Sequence, residues 1–363
     1  FSAGLSRPLT AALATLATHL PALLPEIQRR LLDAICVVLT STSYATWSEQ
    51  HQRGETPPPL LVAPPPQLAA AAGHGHGGGP QRLAARDLMS AGANERHDAV
   101  DAAEAAEAAE AAARLTLALQ TLGSIRMVGA GGTCSELLPF VRDCVAPFLE
   151  DAPTAVREAA ALTASAMLAA AEQEAWDGGG GGGGDAAGTG GALCCLDAAE
   201  HERPRVQLTE QILQRVLLVG VADPELLIRR SIFRALPPCF DMHLAQADWL
   251  QLLFMALADD ALAVRAGAVR VLGRVSERNP ALVLPVLRQL LSELLTQIEH
   301  SSDPRCKADA ARLLTSLICC APKLTRPYAM PILQARRGLP PPSLPRHPLS
   351  PSPSASPRLP LPP

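Results

Sequence analysis

The stretch "LADDALAVRAGAVRVLGR", residues 257–274, places Asp259 six positions ahead of Arg265. Over 261–277, Val264, Ala268, Val271, Leu272 and Val275 fall at i, i+4, i+7, i+8 and i+11, the spacing of one apolar stripe on an α-helix. Just upstream, Leu250, Leu253, Phe254 and Leu257 share a face of their own. The spacing therefore predicts a helix that ends near Ala258, a turn at Asp259 and Asp260, and a second helix. The acid lies in the turn, and the base follows about a turn and a half later. The same six-residue interval separates Asp151 from Arg157 in "DAPTAVREAA" and Asp223 from Arg229 in "DPELLIRRSI".

Working outward, the same helix pairing fits 9–20 with 24–40, 136–150 with 154–170, 207–221 with 224–236, and 281–299 with 304–320. No alternating strand pattern interrupts them, so the fold class is all-α. Arg229 and Arg265 are 36 residues apart, and Lys307 stands in the equivalent place 42 further on. Arg157 and Arg229 are 72 apart, and removing a glycine-bearing insertion of about 30 residues leaves close to one period. Helix pairs repeating every ~40 residues describe an α-solenoid of HEAT- or armadillo-like helical hairpins.

In such a stack each aspartate can cap the second helix of its pair and place negative charge at the positive end of the helix dipole. A cation so close to that end does not serve the dipole, so the arginine needs a carboxylate, in its own turn or in that of a stacked neighbour. Repetition favours the neighbour. The reading is a structural ladder of Asp151, Arg157, Asp223, Arg229, Asp259, Arg265 and Lys307 along the inter-repeat turns. A shielded rung such as Arg265 is expected to hold about 1–3 kcal/mol, an exposed one under ~1 kcal/mol. The fourth unit, "SSDPRCKADAA", is irregular: Ser301 stands six before Lys307, and Asp303 comes later in the turn. Its rung should be weaker or differently made.

Composition divides the rest. Residues 46–100 mix "TPPPLLVAPPPQ" with "GHGHGGGP", 177–204 hold seven consecutive glycines from Gly178, and 338–363 are rich in proline and serine. These stretches lack the apolar side chains that offset chain entropy and are expected to be a disordered insertion, a disordered loop and a disordered tail. Residues 1–45 are then one helical hairpin, and 101–176 and 205–337 are HEAT-like repeats. The run "DAAEAAEAAEAAA" at 101–113 is made of helix formers and should extend the helix of "RLTLALQTLG" outward. The net charge of −4 and the 3% aromatic content supply neither electrostatic capture nor stacking platforms for nucleic acid. Uninterrupted aliphatic runs such as "VLLVGVA" at 216–222 fall far short of the ~20 residues of a membrane span.

Motifs for chemistry are missing. Neither Lys307 nor Lys323 has a glycine beside it, as a phosphate-cradling loop requires. "HERPR" at 201–205 starts like HExxH, but Arg205 replaces the second histidine and Pro204 should break the helix. The nine cysteines include no CxxC; the adjacent pairs Cys194-Cys195 and Cys319-Cys320 have the wrong spacing for zinc, and buried free thiols are expected. His74 and His76 read as part of a solvated loop. No catalytic residue, metal ligand or cofactor is assigned.

Particular strings go further than periodicity. "HLAQADWLQLLFMAL" from His243, "GRVSERNPALVLPVLRQLL" from Gly273, "LTQIEHSSDPRCK" from Leu295 and "APKLTRPYAMPIL" from Ala321 resemble the amino-terminal HEAT region of the target of rapamycin (TOR) kinase family. Residues 9–39, 115–124 and 217–232 add weaker support. The resemblance implies that the parent is a large serine/threonine protein kinase controlling growth, translation and autophagy in response to nutrients. It implies protein subunits of a TOR complex, including a regulatory adaptor, and a second TOR copy as partners, with cytoplasmic localisation. ATP and magnesium would belong to a kinase domain outside this chain. The pattern departs from the family at the low-complexity insertions and after Leu333, where "QARRGLPPPSLP" follows, as expected of a fragment. A stand-alone HEAT adaptor, of transport-receptor or phosphatase-scaffold type, is the alternative.

Overall fold

The computed structural model describes residues 24–55, 87–124, 134–150, 152–179 and 191–337, with residues 12, 15, 19 and 60 in isolation. Most of the first helix of the opening hairpin, Asp151, His74, His76 and the tail from 338 lie outside the described residues. Among those described, the structure contains helices and turns but no strand.

Helix α1 (Leu24–Thr40) buries Leu32, Ile35, Cys36 and Leu39, the i, i+3, i+4, i+7 stripe of an amphipathic helix. Helix α2 (Tyr44–Gln52) is capped by Ser43, whose Oγ accepts the Thr46 N–H at 3.2 Å. The insertion expected from residue 46 therefore starts later. Trp47 holds α2 in place, its buried ring edge-on to Phe140 at 5.1 Å and stacked on Tyr44 at 5.6 Å.

Helix α3 (Asp87–Ser124) contains the Ala/Glu run, with Glu104 and Glu107 exposed, and ends in the buried residues Leu115, Leu119 and Leu122. It reaches back to Asp87, inside the stretch read as disordered. Adding turns to an existing helix costs far less than nucleating one.

The expected regular helix over 136–150 is instead three short pieces: α-helical at Leu138–Phe140, π-helical at Val141–Val145 and 3₁₀ at Ala146–Leu149. Pro147 has no N–H to give, so the i→i−4 ladder cannot continue through it.

Helix α4 (Thr154–Gly179) and helix α5 (Gly191–Ala222) flank the glycine run. The loop assigned to 177–204 is thus shorter than its composition suggested, because "ALCCLDAAE" after Gly191 consists mainly of helix formers. Pro204 lies within α5 rather than ending it. The proline removes a single backbone donor, and the turns on either side carry the helix across.

Then follow α6 (Leu226–Ala235), α7 (Ala247–Leu257), α8 (Leu262–Val275), α9 (Pro280–His300), α10 (Pro304–Cys320) and α11 (Ala329–Arg337). Asn279 caps α9 and Asp303 caps α10, each ahead of a proline at the first helical position, where the missing N–H costs nothing.

These helices pair as α5–α6, α7–α8 and α9–α10, with 138–149 paired to α4. The second helices α4, α6, α8 and α10 stack in sequence, and α3 covers the open side of α4. The apolar residues form one continuous core from Leu32 to Leu324, as in an α-solenoid.

Two glycines set how closely layers approach. A Cβ on Gly267 would lie 2.7 Å from the Cβ of Phe233 in α6, and one on Gly273 would lie 2.6 Å from the Cβ and 2.9 Å from the carbonyl oxygen of Cys320 in α10.

Helix α9, with 21 residues and a mean hydropathy of 1.3 over its most apolar window, is long and apolar enough to cross a membrane by length and composition. It reaches that length without an uninterrupted aliphatic run. Val283, Leu287, Leu291, Leu294 and Ile298 form one buried stripe, the pattern of a helix packed within a stack.

Candidate functional site

The four stacked helices carry a cation at the same place. Arg157, Arg229, Arg265 and Lys307 are each the fourth residue of α4, α6, α8 and α10, and each donates its backbone N–H to the residue four back. Asp223 and Asp259 lie three residues ahead of α6 and α8. Their carboxylates accept the N–H groups of Glu225 at 2.8 Å and Ala261 at 2.7 Å, which closes the turn just before the helix. The capping therefore falls one residue short of the first helical N–H, where the sequence had pointed.

Both oxygens of each carboxylate also face the layer before. Arg157 Nε donates to Asp223 Oδ2 at 2.9 Å and Nη2 to Oδ1 at 3.1 Å. Arg229 Nε donates to Asp259 Oδ2 at 2.8 Å and Nη2 to Oδ1 at 3.2 Å. Both are two-point, charge-assisted contacts, with carboxylates almost closed to solvent and guanidiniums only 15% exposed. The third nitrogen of each fork turns to its own loop: Arg157 Nη1 donates to the Ala152 carbonyl at 2.8 Å and Arg229 Nη1 to the Asp223 carbonyl at 2.7 Å. Each arginine thus ties its own turn to the next one. At Asp259, burial pushes the carboxyl up, but the Arg229 hydrogen bond, the Ala261 N–H and the charges of Arg229 and Arg265 outweigh it and hold the group below its ordinary value. The bond to Asp259 raises Arg229 in turn.

The ladder stops there. Arg265 Nη1 donates to the Asp259 carbonyl at 2.7 Å and the Asp260 carbonyl at 3.0 Å, but no carboxylate among the described residues pairs with it. Lys307 has no ion-pair partner among them either. As full rungs, Arg265 and Lys307 are therefore corrected. Position 301 is serine, and Asp303 spends its carboxylate on the Arg305 N–H at 2.9 Å.

Two further inter-layer contacts had no signal in the sequence because their partners follow no shared interval. Arg274 grips Asp241 through Nε at 3.1 Å and Nη2 at 3.1 Å, and Nη2 also reaches the Leu236 carbonyl at 3.1 Å. Glu172 on α4 accepts from Thr209 of α5 at 3.2 Å and lies 3.5 Å from Arg205 and 3.9 Å from His243 Nε2; His243 Nδ1 is 3.4 Å from Glu210. The Glu172 carboxylate beside it raises the imidazole of His243 above its ordinary value despite burial, and the neighbouring His243 lowers the Glu172 carboxyl.

Nothing in these clusters resembles a catalytic arrangement. An open groove of about 660 Å³ between 141–150 and α5 is lined by residues that include Arg142, Glu150, Gln211 and Arg215, none of them a ladder residue. Among the described residues no group of His, Cys, Asp and Glu is gathered as a metal site, and seven cysteines are free. Cys144 is buried, and desolvation raises its thiol out of the reactive range.

Comparison with known proteins matches residues 263–317 to the HEAT-like repeat family. The chain is 32% identical over 337 residues to Serine/threonine-protein kinase TOR of Arabidopsis thaliana, and 36% identical over 337 residues to Serine/threonine-protein kinase TOR of Oryza sativa. Each alignment takes in 92% of this chain and 11% of the relative. Serine/threonine-protein kinase TOR2 of Saccharomyces cerevisiae is 34% identical over 198 residues, 54% of this chain and 7% of that protein. The chain spans about a tenth of the length of the plant relatives it matches.

Proposed function

Because the chain belongs to the HEAT-repeat region of the TOR family, we propose that it is a scaffold segment of a TOR-type serine/threonine protein kinase. In this reading it presents the surface of its stacked helices to protein subunits of a TOR complex, such as the regulatory adaptor, or to a second TOR copy. The parent kinase would control growth, translation and autophagy in response to nutrients from the cytoplasm. Its ATP and magnesium would be held by a kinase domain outside this chain.

The observation that carries the reading is the similarity to two plant TOR kinases across 92% of the chain. The ladder supports it: ion pairs that link one turn to the next stiffen a surface without providing a reaction centre. The test is a chimaera in which this chain replaces the matching segment of the Arabidopsis kinase. Co-purification with the regulatory adaptor and phosphorylation of a substrate peptide should match the parent. A stably expressed chimaera that lacks adaptor, like a variant with the segment deleted, would overturn the proposal.

A further inference from the structure

We propose that the side of the stack formed by α4, α6 and α8 is a docking surface for an acidic, leucine-bearing peptide segment of a partner protein. The contacts of α6 use up three of its four directions. Ile228 and Ile232 point into the core, Arg229 and Phe233 meet α8, and Ser231 Oγ donates back to Glu158 of α4 at 2.6 Å. The fourth direction, away from the core, carries Leu227, Arg230 and Arg234, all exposed and spaced i, i+3 and i+7. In α8, Ala268, Val271 and Leu272 fill the core, Gly267 approaches Phe233, and Arg274 reaches Asp241. Arg270 is left on the same outer side, exposed. On α4 that side continues with Glu158 and, one turn on, the exposed Leu162.

Two contacts fix how these side chains line up. The bond from Ser231 to Glu158 sets Arg234 and Leu162 each about one turn further along their helices, side by side. A Cβ on Gly267 would lie 2.7 Å from that of Phe233, so α6 and α8 almost touch where Arg234 follows Phe233, and Arg270 comes about one turn after Gly267. Arg230, Arg234 and Arg270 therefore form one cationic cluster over two neighbouring helices. Neither α6 nor α8 contains an acidic residue. Among the described residues Arg230 and Arg234 have no ion-pair partner, and Arg270 has only the Ala266 carbonyl of its own helix, at 3.3 Å. Glu158, the acid of α4 on this side, already accepts the Ser231 hydroxyl.

Charge complementarity sets the occupant. A guanidinium takes a carboxylate in a two-point contact, as Arg229 does with Asp259 inside the stack. Leu227 and Leu162 border the cluster, so a purely charged ligand would leave their apolar surface in water. The segment that satisfies both carries carboxylates with leucine or a similar aliphatic residue among them. Three helices roughly 10 Å apart present roughly 20 Å, the reach of about six extended residues. A duplex or a membrane calls for a broader basic field than these arginines supply on a chain of net charge −4. The surface belongs to this chain alone and does not depend on its place in a TOR complex.

The experiment titrates the full 363-residue chain into a labelled peptide of that length made of glutamate and leucine, followed by fluorescence polarisation at low salt. Binding should saturate, and it should weaken as salt is added. Arg230→Glu combined with Arg234→Glu should weaken it by about tenfold or more, and Arg270→Glu or Leu227→Ser by about threefold. The thermal midpoint should stay in place, because none of these side chains is buried. Arg288→Glu, at an exposed position of α9, should leave binding unchanged. No binding, equal binding of a glutamate peptide without leucine, or the same loss from Arg288→Glu would each overturn the proposal. So would altered sedimentation of the double variant alone, which would give the face to a second copy, or tighter capture of anionic vesicles or a single-stranded oligonucleotide by the same arginines.

Discussion

Two arginines with the same position in their helices make opposite predictions. Arg229 is held by both oxygens of a nearly buried carboxylate, so Arg229→Ala strands the Asp259 charge and should cost about 1–3 kcal/mol. Arg265 donates only to carbonyls that water can satisfy, so Arg265→Ala should cost under ~1 kcal/mol. Chemical-denaturation midpoints of the two variants measure the difference, and equal losses would show that the two arginines are held alike. At His243 the sign of the pH dependence follows from the raised imidazole. Its contribution is complete below the ordinary value of 6.5 and fades as pH rises through the higher folded value. The thermal midpoint should therefore fall on moving from about pH 6 to about pH 8, and His243→Gln should flatten that slope. Glu172 and Asp259 act at the other end: their carboxyls are lowered, so what they add is lost only as pH drops below the ordinary values of 4.5 and 3.8. The interval from Asp to Arg was legible in the sequence because it repeats. Glu172, Arg205 and His243 were not, since they lie on separate elements and meet only after stacking.

At the scale of elements, helix against helix decides what a residue can become. Gly273 in α8 leaves no room for a side chain because the backbone of Cys320 in α10 is already there. Gly273→Val should push the two helices apart and lower the melting midpoint by several degrees, with the far-UV circular-dichroism signal kept at low temperature. An unchanged midpoint would mean that the layers can slide. Periodicity located most second helices of the pairs within a few residues, because an apolar stripe with a capping residue ahead of it is a local signal. It failed at 138–149, where Pro147 broke the ladder, and around 191–204, where composition suggested a loop and a helix runs on. In both places the deciding factor was the continuity of backbone hydrogen bonds, which an average over residue types does not capture.

The whole molecule is a row of layers, each touching only its neighbours, so stability should vary along it. The joint between α8 and α10 lacks the two-point ion pair that ties α4 to α6 and α6 to α8. Hydrogen exchange should thus be faster for the buried amides of α9 and α10 than for those of α6 and α8, and uniform protection would contradict this. By itself the sequence determined that the chain is helical, that the helices come in pairs, and that an acid and a base recur at one interval. Those features depend on neighbours within about two turns of helix, a range over which spacing reports geometry. Which acid meets which base was decided only by the tertiary structure. Arg157 and Arg229 each reach the aspartate carboxylate of the following layer, whereas Arg265 stays on the carbonyls of its own turn and the chain of pairs ends.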